Sequence, residues 1–173
     1  TDFIYVTKST DGGETWSEPT LLDVKKASEQ SLLVGPGRGI VISTGEHKGR
    51  IVFTCYEFTN GDKNSAAIYS DDNGVTWHRG ASAKNFSSEA VVTEADGKLY
   101  MFVRRENVYY VSNDGGETWS DPQAMGISYN ATCQLTATTY SEKINGKTAI
   151  FFACPSNTFS RAAGKIYVGL VQD

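Results

Sequence analysis

"SNDGGETW", residues 112–119, decides how this sequence is read, because it does not stand alone. "STDGGETW" occupies 9–16 and "SDDNGVTW" occupies 70–77. Each octet follows a strand-like stretch that runs into a serine, Ser9, Ser70 or Ser112. Each leads into a short strand pattern that starts at a tryptophan. Asp11, Asp72 and Asp114 sit where a carboxylate accepts bonds from the backbone N–H groups that follow it. Gly13, Gly74 and Gly116 fall where a turn needs positive φ. Trp16, Trp77 and Trp119 are all the tryptophans of the chain, and each is expected to pack into a core as a large apolar anchor. The octet therefore reads as a tight turn that fixes an indole. Calcium binding is the competing reading. Each turn offers only one or two carboxylates and lacks the ligand spacing of a calcium loop, so no metal is expected there.

Strand patterns recur along the whole chain, at 2–7, 39–43, 50–56, 66–69, 89–93, 99–104, 108–111, 132–138, 147–153 and 165–170. They are short, rich in Val, Ile, Phe and Tyr, and bounded by Gly, Asn, Asp and Ser. Only 22–30 offers room for a short helix. The fold class is all-β with antiparallel pairing. The serines that open the octets are spaced by 61 and 42 residues. A period of about 40 to 50 residues with about four strands per unit is the signature of a β-propeller. The chain then divides into the end of one blade (2–21), two fuller blades (38–80 and 88–121) and three strands of another (131–170).

Composition narrows the function classes. The chain has 173 residues, 39% hydrophobic and 21% charged, with a net charge of -4. No long run of one sign is present, which argues against nucleic acid or an anionic membrane as the main partner. No apolar run approaches the roughly 20 residues that span a bilayer. Cys55, Cys133 and Cys154 are odd in number, widely spaced and away from His47 and His78. They read as buried, reduced thiols rather than a zinc site, with one disulfide plus a free thiol as the alternative. Both ends stop in strand patterns and read as cut from a longer chain. Asn85 and Asn130 open glycosylation-type tripeptides, from which nothing is drawn.

The octet S-x-D-x-G-x-T-W resembles the Asp-box, or BNR repeat, of the sialidase (neuraminidase) superfamily. Further segments resemble that family in order: "VGPGRGIVI" at 34–42, "HKGRIVF" at 47–53, "IYSDDNGVTWHRG" at 68–80, "SSEAVVTEADGKLYMFVRR" at 87–105 and "FFACPSNTFSRAAGKIYVGL" at 151–170. The resemblance covers nearly the whole chain and is strongest for secreted or surface enzymes of Gram-positive type. It implies a six-bladed propeller of which residues 1–173 form a central part. It also implies exo-α-sialidase activity on sialylated glycoproteins, glycolipids and oligosaccharides, without a cofactor or a metal.

The chemistry fits the residues that carry the resemblance. Sialic acid bears a carboxylate on its anomeric carbon, and arginine matches a planar carboxylate with paired hydrogen bonds. Arg104 matches the family's second arginine and Arg161 its third. Arg105 is a weaker match, since alternation turns it to the other face. Glu89 matches the family's glutamate, which acts as a base on a tyrosine nucleophile. A neutral phenol avoids the repulsion between substrate carboxylate and a carboxylate nucleophile. Its pKa near 10 then calls for a paired base. Glu94 and Glu106 are rival acids whose contexts fit strand-end or turn positions.

The family's first arginine, acid/base aspartate and nucleophilic tyrosine have no match here. Asp2 lies near the aspartate's place but reads as part of a strand, and Tyr167 reads as a packing residue. These 173 residues alone are therefore expected not to turn over. The alternative to an enzyme is a non-catalytic Asp-box propeller that binds carbohydrate or protein. Glu89, fifteen positions before Arg104, favours the enzyme.

Overall fold

A computed structural model of the chain describes residues 2–83, 88–104, 106–128 and 132–172. Arg105, Asn85 and Asn130 lie outside the described residues. The fold is all-β, and every ladder is antiparallel. The first sheet pairs β1 (Ile4–Val6) with β2 (Thr20–Leu22). The second contains β3 (Ser31–Val34), β4 (Ile40–Val41), β5 (Ile51–Thr59), β6 (Asp62–Ser70) and β7 (His78–Arg79). The third runs β8 (Ala90–Ala95), β9 (Lys98–Val103), β10 (Val108–Ser112) and β11 (Gln123–Ala124). The fourth holds β12 (Thr136–Thr139), β13 (Ala149–Pro155) and β14 (Gly164–Leu170). Among the described residues no helix is long and apolar enough to cross a membrane.

Alternation along these strands gives each sheet two apolar faces, and the cores lie between consecutive sheets. Val24, Leu32, Cys55, Ala66 and Ile68 meet Ile4, Leu22 and Trp77 between the first and second. Ile42, Val52 and Ala67 meet Val92 and Leu99 between the second and third. Val91 and Phe102 meet Leu135, Ile150 and Phe152 between the third and fourth. A stack of small twisted sheets that bury both faces against their neighbours is blade packing.

Three expectations need correction. Residues 22–30 form no helix. Leu22 ends β2, and the rest is a loop held by Glu29. The Glu29 carboxylate accepts the Lys26 N–H at 2.9 Å and pairs with buried Arg79 at 3.2 Å, which ties the loop down. The second blade starts at Ser31, not 38. "SLLV" pairs with β5, and 35–39 is an interruption between β3 and β4. Gly39 is required in it, since a Cβ would stand 2.7 Å from both the Val52 carbonyl oxygen and the Phe53 ring. Third, Trp16 enters no core among the described residues. Trp77 and Trp119 lie in the cores formed with the preceding sheet, whereas Trp16 is 63% exposed and has no earlier sheet among the described residues.

The octets form the same turn three times. The serine hydroxyl donates to the aspartate and accepts the N–H of the glycine four residues on, at 2.7 Å for Ser70 and 2.8 Å for Ser112. The aspartate accepts the threonine N–H through one oxygen and the threonine hydroxyl through the other. Asp11 does the same with Thr15. Both oxygens of each carboxylate thus serve the turn. The hydrogen bonds from Thr76 hold Asp72 far below the ordinary carboxylate range. For Asp114 burial pushes upward, and the bonds from Thr118 and Ser112 outweigh it, so its pKa is also lowered.

One further lock joins blades. Arg50 is 5% exposed and grips Asp71 with two bonds, at 2.7 and 2.9 Å. Its Nη1 donates to Glu117 at 3.0 Å and to the carbonyls of Asp114 and Gly115 in the octet of the next blade. Its guanidinium lies 4.1 Å from the centre of the Tyr69 ring.

Two outcomes are expected. Trp119→Ala should destabilise the protein that carries this chain by about 3 kcal/mol in urea, because Trp119 fills a core between two blades. Asp72 and Asp114 have depressed folded pKa values, so their stabilisation is complete above the unfolded value near 4 and is lost as pH falls toward the folded values. Urea midpoints followed from pH 7 to 2 should therefore drop less steeply below pH 4, by about the share of two carboxylates, in the double variant Asp72→Asn/Asp114→Asn.

Candidate active site

The β8–β9 hairpin turns at Asp96-Gly97, with φ of 49° and 74°. Two positive φ values make the tight two-residue turn that matches strand twist, and Asp-Gly is one of its preferred sequences. The register that follows pairs Ala90 with Val103. One step further, the Arg104 N–H donates to the Glu89 carbonyl at 2.9 Å. Glu89 and Arg104 therefore face each other at the end of the sheet, and Arg104 Nη1 donates to Glu89 Oε2 at 2.8 Å. Arg104 Nε donates to the Thr132 carbonyl at 2.9 Å, just ahead of β12. The guanidinium is thus fixed by two elements, while its Nη2 carries neither bond. Both side chains remain about a fifth to a quarter exposed, 21% and 24%.

Arg161 comes from the loop between β13 and β14. Asn157 shapes that loop by accepting the N–H groups of Phe159 and Ser160 at 2.8 and 3.1 Å. Ser156 and Asn157 close its neck on Ala163 and Ala162. Among the described residues Arg161 has no ion-pair partner. Glu89, Arg104, Arg161, Cys133, Gln134 and Pro155 line one cavity of about 310 Å³. Residues separated by up to 72 positions, 89 to 161, meet there. Two guanidiniums and one carboxylate leave the cavity with a positive balance, suited to an anion. A groove of about 530 Å³ between β9–β10 and β13–β14 is larger, but it is lined by Tyr100, Phe102, Tyr109 and Phe152 and contains no acid.

The other acids lie elsewhere. Glu94 sits at the opposite end of β8. It accepts the Ser43 and Thr44 N–H groups at 2.7 and 3.1 Å and the Thr44 hydroxyl at 2.8 Å. Burial alone would raise its pKa, and these bonds more than reverse that. Glu106 is half-buried in the β9–β10 loop and does not line the cavity. Asp2 is exposed and precedes β1, rather than lying within a strand as its sequence suggested. Tyr167 packs on Phe152, and its hydroxyl donates to the Ser128 carbonyl. The octets lie at the far end of the sheets: Ser112 pairs with Leu99, and Leu99 with Glu94.

Tyr56 has no counterpart among the sequence-based candidates. It stands opposite Ser65 on β6, whose hydroxyl donates to the Ser88 carbonyl. Two residues back, Thr54 donates to the Ala90 carbonyl. Tyr56 thus faces the start of β8. Burial first, then the Glu89 charge, raise its pKa, with Arg104 opposing. The upward shift disfavours the phenolate of Tyr56. Its position arises from packing between sheets, so nothing local in the sequence signals it.

The cavity, with its two arginines and one glutamate, lies at one end of an Asp-box blade. The profile of the BNR repeat-like domain matches residues 1–158. The chain is 37% identical to the anhydrosialidase of Macrobdella decora, over all of this chain and 24% of that protein. It is 30% identical to a sialidase of Bacteroides fragilis, over 96% of this chain and 32% of that protein. The leech intramolecular trans-sialidase complexed with 2,7-anhydro-Neu5Ac superposes with a TM-score of 0.88 at 36% identity, over 99% of this chain and 26% of that one. The intramolecular trans-sialidase of Ruminococcus gnavus, in complex with oseltamivir carboxylate, gives 0.88 at 33% identity, over 98% and 36%. The chain belongs to the BNR repeat-like family and is a segment of a sialidase-superfamily propeller. It spans about a quarter to a third of the length of these relatives.

Glu89 and Glu94 should separate by experiment. Glu94→Gln should cost about 1–3 kcal/mol in a denaturation midpoint, through three weakened bonds, and leave the affinity for a sialic acid analogue unchanged. Glu89→Gln should change stability by less than about 1 kcal/mol and alter that affinity.

Proposed function

We propose that this chain supplies the glutamate and two of the arginines of an exo-α-sialidase that releases terminal sialic acid from glycoconjugates with retention. The observation that carries the reading is the convergence of Glu89, Arg104 and Arg161 on one cavity. Arg161 and the Nη2 of Arg104 take the substrate carboxylate. Glu89 accepts the phenolic proton of a tyrosine as its oxygen attacks the anomeric carbon. The departing glycan oxygen takes a proton from an acid. The tyrosine, the acid and a further arginine come from parts of the protein outside these residues. Tyr56 is no substitute, because its pKa is raised where a nucleophile needs it lowered. The reading places the protein outside the cell, on or released from a bacterium, where sialoglycans lie.

The identity to the anhydrosialidase supports a second form of the reaction, in which a hydroxyl of the sialyl group itself takes the place of water. Product analysis separates the two. The test is turnover of a fluorogenic sialoside by the full-length protein, with free sialic acid or its 2,7-anhydro form identified as the product. Arg104→Ala and Arg161→Ala should each lower kcat/KM by about 10- to 100-fold, the loss of one or two charge-assisted bonds. The 173 residues alone should be inactive. Sialoside binding without turnover by the full-length protein would favour the non-catalytic module, and neither binding nor turnover would overturn both readings.

A further inference from the structure

The short stretch 132–134, just ahead of β12, is bonded to two other sheets. The Thr132 carbonyl accepts Arg104 Nε at 2.9 Å, which ties the third sheet to the lead of the fourth. Two positions on, Gln134 Nε2 donates to the Pro36 carbonyl at 3.2 Å, in the 35–39 interruption of the second sheet. That interruption is itself firmly seated. The Gly35 N–H donates to the Thr54 carbonyl at 3.1 Å. A Cβ on Gly35 would stand 3.1 Å from Thr54 Oγ1 and 3.3 Å from the Ala90 carbonyl oxygen, so this backbone rests directly on the start of β8. The cavity of about 310 Å³ has a neighbour of about 410 Å³, whose walls include Pro36, Arg38, Val91 and Leu135. Gln134 is the residue common to both.

Only half of the Gln134 amide is paired. Its oxygen is buried and has no donor among the described residues. The opposite amide orientation would set that oxygen against the Pro36 carbonyl, two acceptors together, so the carbonyl selects the nitrogen. An amide oxygen buried without a donor costs stability, and an apolar side chain of the same size would avoid that cost. Stability of the fold therefore does not account for a glutamine here. We propose that Gln134 is a positioning residue for Arg104. The ladder of β12 with β13 begins only at Thr136, so no strand pairing holds Thr132 in place. The bond from Gln134 to the seated Pro36 carbonyl fixes the stretch, and with it the Thr132 carbonyl. Glu89 alone, at 2.8 Å from Nη1, would leave the guanidinium able to swing about that one bond. A second fixed acceptor at Nε removes the swing and sets the plane that Arg104 offers to an anion. That this anion is a sialoside carboxylate rests on the sialidase reading, whereas the restraint on Arg104 does not.

The test uses the full-length protein. Gln134→Met keeps the side-chain volume and removes both polar atoms. Its urea midpoint should equal or exceed that of the unmodified protein, because the unpaired oxygen is gone and the exposed Pro36 can turn its carbonyl to water. Phenylglyoxal should modify Arg104 about three- to tenfold faster, read by peptide mass spectrometry, as for one lost hydrogen bond. KM for a fluorogenic sialoside should rise by about the same factor with kcat within about twofold, since a carboxylate contact made equally in ground and transition states is weakened. Gln134→Asn keeps the amide but falls one methylene short of Pro36, and should raise Arg104 reactivity as the methionine does. Unchanged Arg104 reactivity in both variants overturns the proposal. So does a lowered midpoint for Gln134→Met with KM unchanged, which would make the residue structural, or a fall in kcat alone, which would make it act on the chemistry. Faster Arg104 modification in a protein that neither binds nor cleaves a sialoside would uphold the positioning role and overturn the sialidase reading instead.

Discussion

The register of one hairpin governs the site. Asp96-Gly97 closes β8 onto β9 so that residues equidistant from the turn pair, from Ala95 with Lys98 out to Ala90 with Val103. The next pair is Glu89 and Arg104. A slip of one residue would turn every side chain of a strand to the other face. Val91 and Phe102 would leave the core they share with Phe152, so burial of these residues holds the register. The acid and the base of the cavity are therefore aligned by hydrophobic packing several residues away from them. Arg104 needs a third anchor, the Thr132 carbonyl, and that comes from the adjacent blade. The spacing between blades is accordingly part of the chemistry.

That spacing is kept at the opposite end of the sheets. The Asp-box turns project Trp77 and Trp119 into the seams between blades, and Arg50 clamps one blade to the octet of the next. Arg50 is buried while Asp71 and Glu117 are about half-exposed. Such a pair contributes less by Coulomb attraction than by satisfying a buried guanidinium that would otherwise be costly. Its five donated bonds reach side chains and main-chain carbonyls, which is geometry a lysine does not reproduce. The octets do no chemistry. They hold a frame within which side chains from two blades meet at one cavity.

Much of this was legible in the sequence, for identifiable reasons. Strands announce themselves by alternation, and the octets by a motif in which four side-chain types each have one job. The Asp-Gly of "EADGKL" carries more than was read from it, since a two-residue turn there predicts that positions 89 and 104 face each other. The missed parts were those where tertiary packing overrides local pattern. "SLLV" at 31–34 shows no clear alternation in sequence, although in the sheet Leu32 is buried and Val34 is exposed. Residues 22–30 have a helix-compatible composition, but a buried Arg79 fifty positions after Glu29 captures the loop. Trp16 has the same local chemistry as Trp77, and only the presence of a neighbouring sheet distinguishes them. Tyr56 faces the start of β8 across a seam between blades, which no period within one strand encodes.

The charge balance of the cavity bears on whether such a site binds or reacts. A module that only recognised a carboxylate would gain from two unopposed guanidiniums. Glu89 opposes them: at about 7 Å and an effective dielectric near 20, a carboxylate repels a bound anion by roughly 2 kcal/mol. Part of that is offset, because Glu89 aligns Arg104 and reduces the guanidinium's conformational freedom before ligand arrives. A neutral glutamine could align Arg104 as a hydrogen-bond acceptor without the repulsion. What glutamine cannot do is accept a proton. A carboxylate retained against the electrostatics of binding is explained when a proton has to leave a nucleophile in the transition state and the repulsion is relieved as Glu89 becomes neutral. In the sialidase proposed above, the same negative charge that weakens ground-state affinity would lower the barrier, which is the difference between an enzyme's site and a receptor's.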